Sequence, residues 1–342
     1  MTRIGERGTT RSPFLCGGPK LTVRPQTIAR ENAATQNPLM PTYRYHTCDV
    51  FTGERFGGNQ LAVIPDATGL SSEQMLSITR EFNYAESTFV LPPDSTANTR
   101  KLRIFTPGGE IPFAGHPTVG TAFVLAAIGE VTLTGAETRI VFEEKVGLVP
   151  VLIRAEGGRP VFSQLSAAMM PTVGPPLPER ETLATILSLE ADDILEGRFH
   201  PQNVSCGLPF GFVPLRSRDA VRRSRLRLDP WEQHLAGTPN EMLFVFAMDG
   251  ERPGSDVRAR MYAPAISVPE DPATGSACAA LGGYLAMRSN VANGTLRWVV
   301  EQGFEMGRPS ILHVETDKRD GAVTAVRVGG ATVMVCSGEI TV

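Results

Sequence analysis

Several polar side chains stand where this sequence turns from loop or strand into an apolar run, and their types suit proton transfer. Glu86 lies between Ala85 and a run of strand formers, Ser87-Thr88-Phe89-Val90-Leu91, in a stretch that otherwise reads as buried. A carboxyl in such a place loses hydration, which raises its pKa toward the range useful for moving a proton. An edge-strand glutamate pointing at water is the plainer alternative. His116 and Asp271 each sit at, or just ahead of, a predicted helix N-terminus. There they could bind a substrate's polar groups or assist proton transfer, or serve only as an N-cap histidine and an Asp-Pro turn residue. Ser276 is of a type favoured at N-caps and could also serve a substrate oxygen. Asn59, behind Gly57-Gly58, reads as a turn residue or a substrate contact.

Two similar stretches must position these groups. Thr106 to Ala122 passes from a Gly/Pro-rich loop through Gly115-His116-Pro117 into the apolar Phe123-Val124-Leu125-Ala126-Ala127-Ile128 and stops at Gly129. Proline suits the first helical position and glycine the C-terminal stop. Free N–H groups of such a first turn, with the positive end of the helix dipole, favour a carboxylate or phosphate. The design recurs: Pro112-x-x-Gly115-His116 becomes Pro272-x-x-Gly275-Ser276, again opening an apolar helix. A rival register sets His116-Pro117 against Asp271-Pro272. Aligning the loop-to-helix transitions favours the first, and either register implies an internal duplication with both helix N-termini aimed at a shared cleft.

The chain of 342 residues is long enough for two domains, and its formal charge of -3 offers no basic stripe for nucleic acid. The five cysteines are scattered without a C-x-x-C pair, which suits a reducing compartment better than a disulfide framework or a zinc site. No apolar run reaches the ~18 residues of a membrane span. These features predict a cytoplasmic protein with neither membrane nor nucleic-acid partners. Residues 1–42, with six Lys/Arg against two Asp/Glu and no apolar period, read as a disordered N-terminal extension.

From Tyr43 onward, strand signals predominate. Tyr43 to Val50, Leu61 to Ile64, Ala85 to Leu91 and Leu102 to Phe105 precede the first apolar helix; Arg139 to Phe142, Gly147 to Ile153 and Val161 to Gln164 follow it. Ser71 caps an amphipathic helix running to Phe82. Four prolines between Pro171 and Pro178 mark a linker, and a second strand-rich series with few helices extends to Val342. Regular βα alternation is absent, which excludes a doubly wound parallel sheet. The expected architecture is α+β, with a first half over 43–170 and a second over 171–342.

Taken together, Asp49-Val50-Phe51-Thr52 through Gly58-Asn59-Gln60-Leu61-Ala62-Val63, Ala85-Glu86-Ser87-Thr88-Phe89-Val90, Gly115-His116-Pro117-Thr118, Asp271-Pro272-Ala273-Thr274-Gly275-Ser276-Ala277 and Gln302-Gly303 with Gly307-Arg308-Pro309-Ser310 resemble the PhzF-like phenazine biosynthesis family. The resemblance runs from about Tyr43 to Val342. It implies the diaminopimelate epimerase-like fold: two pseudo-symmetric domains, each a β-barrel-like sheet around a central helix, with the active site between them. It implies a cofactor-independent isomerase, commonly a homodimer, acting on a small carboxylate-bearing substrate. In it Glu86 would be the acid/base, His116 and Asp271 would assist, and Asn59, Gly115, Gly275 and Ser276 would bind substrate. The related racemases use two thiols, each just before the glycine that opens its helix; those positions are Ala114 and Thr274 here. Two other readings stay open from the residues: a thiol racemase using Cys206 or Cys278, and a non-catalytic binding protein on the same scaffold.

Overall fold

Two helices of 13 residues, Gly115–Ala127 and Gly275–Met287, are the axes on which the sheet is wound. Neither has a polar stripe. Val119, Ala122, Val124 and Leu125 of the first and Ala277, Ala280, Leu281 and Tyr284 of the second are all buried. A helix that is apolar on every side must be enclosed, and strands enclose both. The computed structural model describes residues 40–342. The expected extension over residues 1–42 therefore lies almost wholly outside the described residues, and the first strand already begins at Thr42.

Within the described residues, 18 strands join in one hydrogen-bonded network, and its pairings occur twice. In the first half, Thr42–Val50 runs antiparallel to Asn59–Ile64, which runs parallel to Glu86–Leu91; that strand is antiparallel to Arg100–Thr106, which is parallel to Glu137–Glu144 beyond the first central helix. In the second half, Gln202–Ser205, Pro209–Pro214, Leu243–Ala247, Val257–Ala263 and Gly294–Gln302 repeat the same sequence of antiparallel and parallel ladders. Each half then adds two antiparallel strands, Gly147–Glu156 with Arg159–Ser166 and Ser310–Arg319 with Ala322–Gly330. The halves are stitched by Arg159–Ser166 against Ala322–Gly330, and by the last strand, Thr332–Thr341, which returns to pair with Thr42–Val50. The molecule is α+β: a mixed sheet curled around few helices. Among the described residues no helix is long and apolar enough to cross a membrane.

Local signals mostly lie where the residues placed them. Ser71 accepts from Gln74 N and Gln74 returns the bond, a reciprocal cap on Ser72–Phe82. Three details differ. Pro117 is the third helical residue rather than the first, still inside the turn whose N–H groups lack helical partners. Thr274, not Ser276, occupies the N-cap of the second central helix. The proline-rich linker contains a two-residue strand, Thr172–Val173, paired with Val204 and Ser205. That strand and the helix Arg218–Arg223 carry too short a pattern to register in sequence.

The central helices begin at Gly115 and Gly275, as the register aligning the loop-to-helix transitions requires, and they meet there end to end. A Cβ on Gly115 would lie 2.6 Å from the Cα and carbonyl carbon of Gly275 and from Ser276 N; one on Gly275 would lie 3.1 Å from Gly115 Cα and from the Phe51 ring. Only hydrogen fits at Gly115, and at Gly275 a Cβ would be tight. In an uncrowded helix, replacing glycine by alanine stabilises by about 0.5–1 kcal/mol. Gly115→Ala is expected to do the opposite, costing about 1–3 kcal/mol by overpacking in urea denaturation. A stabilised variant would show that the two backbones do not abut.

Candidate active site

The junction of the two helix ends carries a chain of polar side chains drawn from both halves. Asn59 opens its strand immediately after the Gly57-Gly58 turn. Its Nδ2 donates to Asp271 Oδ1 at 2.7 Å and to Ala273 O at 2.9 Å, and lies 3.1 Å from His116 Nδ1. His116 is the second residue of the first central helix, and its Nε2 stands 3.4 Å from Glu86 Oε2. Glu86 opens its strand beside Leu61. Neither Glu86 Oε2 nor His116 Nε2 has a hydrogen-bond partner, and both atoms are buried. Asp271 ends the strand Val268–Asp271, and its second oxygen accepts from the Thr274 hydroxyl. Gln302, fully buried, completes the chain by donating to Asp271 O and Thr274 Oγ1 and accepting from Thr274 N.

Burial sets the protonation of these groups. Desolvation first, and the Asp271 charge second, hold the Glu86 carboxyl well above the ordinary carboxylate range. Asp271 is itself raised by burial to about 6, against the downward pull of its hydrogen bonds from Thr274 and Asn59. Burial lowers His116 to about 3, with the Gln60 carbonyl pulling weakly the other way, so the ring is neutral at pH 7.

A cavity of about 80 Å³ opens onto this chain, lined by Glu86, Asp271, Thr274 and Ser276 within a wall of Ile111, Phe113, Leu208, Phe210, Met242, Met261, Ile266 and Val268. No lysine or arginine lines it. Positive potential comes instead from the two helix ends, neither of which has a side-chain cap. Their first-turn N–H groups and dipoles converge on one spot, an arrangement that favours an anion.

The duplicated ladders show what each half contributes. Ser87 faces Phe105 as Leu243 faces Tyr262, which makes Met242 the counterpart of Glu86; Ile104 faces Ile111 as Met261 faces Asp271, which makes Ile111 the counterpart of Asp271. Met242 and Ile111 both line the cavity. Each carboxyl thus has an apolar mate across the pseudo-twofold, and each half brings one acid to the cavity.

All the expected site residues, Glu86, His116, Asp271, Asn59, Gly115, Gly275 and Ser276, converge here. Thr274 and Gln302 were not expected as site residues, Thr274 being named only as a position that lacks a thiol, although both lie in the motifs that carry the family resemblance. Arg308 is half-buried: it donates to Asp49 Oδ1 at 2.6 Å and to the Gly57 and Gly58 carbonyls, fixing the turn that delivers Asn59. Glu144 is a further buried carboxyl, 2.7 Å from the hydroxyl of Thr118 in the first helical turn, and burial raises it to about 8. Cys206 and Cys278 are buried, do not line the cavity, and have thiols held protonated by desolvation. Among the described residues no cluster of three His, Cys, Asp or Glu side chains is arranged to hold a metal ion.

Comparison with known proteins places relatives around this geometry. A family model described as phenazine biosynthesis-like protein matches residues 48–338. A protein from Mesorhizobium japonicum named as an uncharacterized isomerase is 35% identical over 305 residues, covering 88% of this chain and 99% of the relative. A trans-2,3-dihydro-3-hydroxyanthranilate isomerase from Pseudomonas aeruginosa is 35% identical over 301 residues, covering 87% and 99%. The crystal structure of a PhzF-family phenazine biosynthesis protein from Bacillus anthracis superposes with a TM-score of 0.79 at 25% identity, covering 89% of this chain and all of that one.

Two titrations test these electrostatics. Asp271→Asn removes the like charge beside Glu86, so infrared titration of the Glu86 carboxyl is expected to move to lower pH; an unmoved titration would deny the coupling. Glu144 binds its proton more tightly folded than unfolded, so its contribution to stability is lost as pH rises from about 4.5 through about 8. Glu144→Gln is expected to flatten that fall in thermal melts, gaining at most about 3 kcal/mol at pH 7, with little change at pH 4.

Proposed function

The chain belongs to the phenazine biosynthesis-like PhzF family and is an isomerase, and from that premise we propose that Glu86 carries a proton between two carbons of a small unsaturated carboxylate held at the paired helix ends. The observation that carries this reading is the carboxyl oxygen of Glu86, buried and without a hydrogen-bond partner, 3.4 Å from His116 Nε2, in a residue that lines a largely apolar cavity.

The substrate's carboxylate lies against the first-turn amides of both helices, where Ser276 can add a hydroxyl donor. Ionised Glu86 takes a proton from carbon. The C–H electron pair moves into the adjoining double bond and toward the carboxylate, where preorganised N–H groups stabilise the growing negative charge. Glu86, now neutral, returns the proton to a second carbon as the double bond moves over. One C–H bond breaks, one forms, and no electrons leave the substrate, so the reaction needs no cofactor. His116 Nε2, 3.4 Å away, stands beside the carboxyl of Glu86 between the two transfers, and Asp271 holds Asn59 and Thr274 in place.

The mate of Glu86 across the pseudo-twofold is Met242, which cannot exchange protons. Removal on one face and return on the other, the route to inverted configuration at one carbon, would need a free acid there, and the cavity's other carboxyl, Asp271, is engaged by a donor on each oxygen. A same-face shift between carbons needs only Glu86. This favours isomerisation over racemisation, and it makes trans-2,3-dihydro-3-hydroxyanthranilate, the substrate in the name of the Pseudomonas aeruginosa relative, the first compound to try.

The test is turnover of that compound, and of a panel of small unsaturated carboxylates, followed by proton NMR in D2O with the donor carbon deuterated or not. The wild-type chain is expected to move the label between carbons. Glu86→Gln is expected to lose about 10²–10⁴-fold in kcat. Activity retained in Glu86→Gln would sink the assignment.

A further inference from the structure

The N-cap of the second central helix does not do what an N-cap threonine ordinarily does. Such a hydroxyl accepts from an N–H of the first helical turn, yet Thr274 makes no side-chain cap bond. Its hydroxyl donates instead to Asp271 Oδ2. The diversion has a cause one layer deeper. Gln302 Nε2 donates to Thr274 Oγ1 at 2.9 Å and to Asp271 O at 2.8 Å, while its Oε1 takes Thr274 N at 3.1 Å. The acceptor oxygen must face the backbone N–H, so the amide's orientation is fixed, and its nitrogen must donate to the hydroxyl. With its lone pair so engaged, the hydroxyl has its hydrogen free for the carboxylate.

We propose that Gln302 and Thr274 form a directed relay that keeps Asp271 an ionised acceptor and leaves the first-turn amides of Gly275–Met287 free for the substrate. Both are positioning residues, and the inference rests on the reading of the cavity as a carboxylate site. Asp271 receives one donor on each oxygen, Asn59 on one and Thr274 on the other, so neither its charge nor its rotamer can drift. Without Thr274 one oxygen would be bare in a buried place. Without Gln302 the hydroxyl would be free to turn back and cap its own helix, competing with the substrate for the same N–H groups. The ionisable groups around Asp271 are Glu86 and Glu270, whose charges disfavour its ionisation, Cys278 on the helix, and His116 through Asn59. None of them donates a hydrogen bond to it.

The experiment is carboxyl-carbon NMR titration of the full chain labelled at aspartate, with Asp271 assigned by its loss in Asp271→Asn. Thr274→Val is expected to raise the Asp271 midpoint by about one pH unit and to lower kcat about tenfold to a hundredfold with KM little changed. Thr274→Ser, which keeps the hydroxyl, is expected to restore both. Gln302→Met is expected to raise KM as well, because the freed hydroxyl competes for the substrate's amides. An Asp271 midpoint in Thr274→Val equal to that of the wild type overturns the relay, and so does failure of Thr274→Ser to restore it. Glu86→Gln separates the two ideas: if it retains turnover the proton-shuttle reading falls, whereas the Asp271 midpoint still reports on the relay.

Discussion

Everything at the centre of this molecule depends on two helices being able to touch at their positive ends. The dipoles oppose such an approach, each helix presenting roughly half a positive charge at its N-terminus. Two things make it possible. Glycine at positions 115 and 275 lets backbone meet backbone where a single Cβ would collide, and the carboxylate of Asp271 sits at the junction to offset the accumulated potential. Once made, the contact leaves uncapped amides pointing at one place. On the proposed reading, a binding site for an anion is thus a by-product of how the halves close.

Duplication supplies the second constraint. The same ladder of pairings, repeated, brings equivalent positions of both halves to opposite sides of one cavity. Symmetry would give two acids or none. Divergence has left Glu86 opposite Met242 and Asp271 opposite Ile111, so polar and apolar residues alternate across the pseudo-axis. The apolar members matter as much as the polar ones. They strip water from Glu86, and they leave no second carboxyl at the position that mirrors it.

Much of this was legible in the residues. The buried helices announce themselves by being apolar all round, the glycines before them by the Pro-x-x-Gly pattern, and Glu86 by interrupting a strand-like run. What periodicity could not reveal is which face of that strand is enclosed. A carboxyl at the mouth of a strand reads the same whether it meets water or the partner half, and only the far end of the chain, Asp271 through Ser276, decides. Arg308 shows the same limit. Beside glycines and a proline it has every local mark of a solvated turn, and its partner Asp49 stands 259 positions away. Thr274 and Gln302 went unread for a different reason. An N-cap threonine and a strand-end glutamine are ordinary, and their importance lies in the direction of their hydrogen bonds, which no composition records.

The proposed function puts a base where its ionisation is penalised. A carbon acid is weak, and a carboxylate of ordinary basicity leaves most of the barrier to proton removal in place. Raising the pKa of Glu86 strengthens its ionised form as a base, and matching donor to acceptor in this way is what general base catalysis rewards. Burial alone would do so indiscriminately, raising Asp271 by the same route and leaving two neutral acids. The structure separates them by hydrogen bonds. Asp271 has a donor on each oxygen, while Glu86 has none on Oε2. The retained charge on Asp271 then adds its repulsion to the desolvation of Glu86. Two similar carboxyls close to one helix junction are thereby set apart: one is held by a donor on each oxygen, and the other, on the proposed reading, is free to gain and lose the proton that moves.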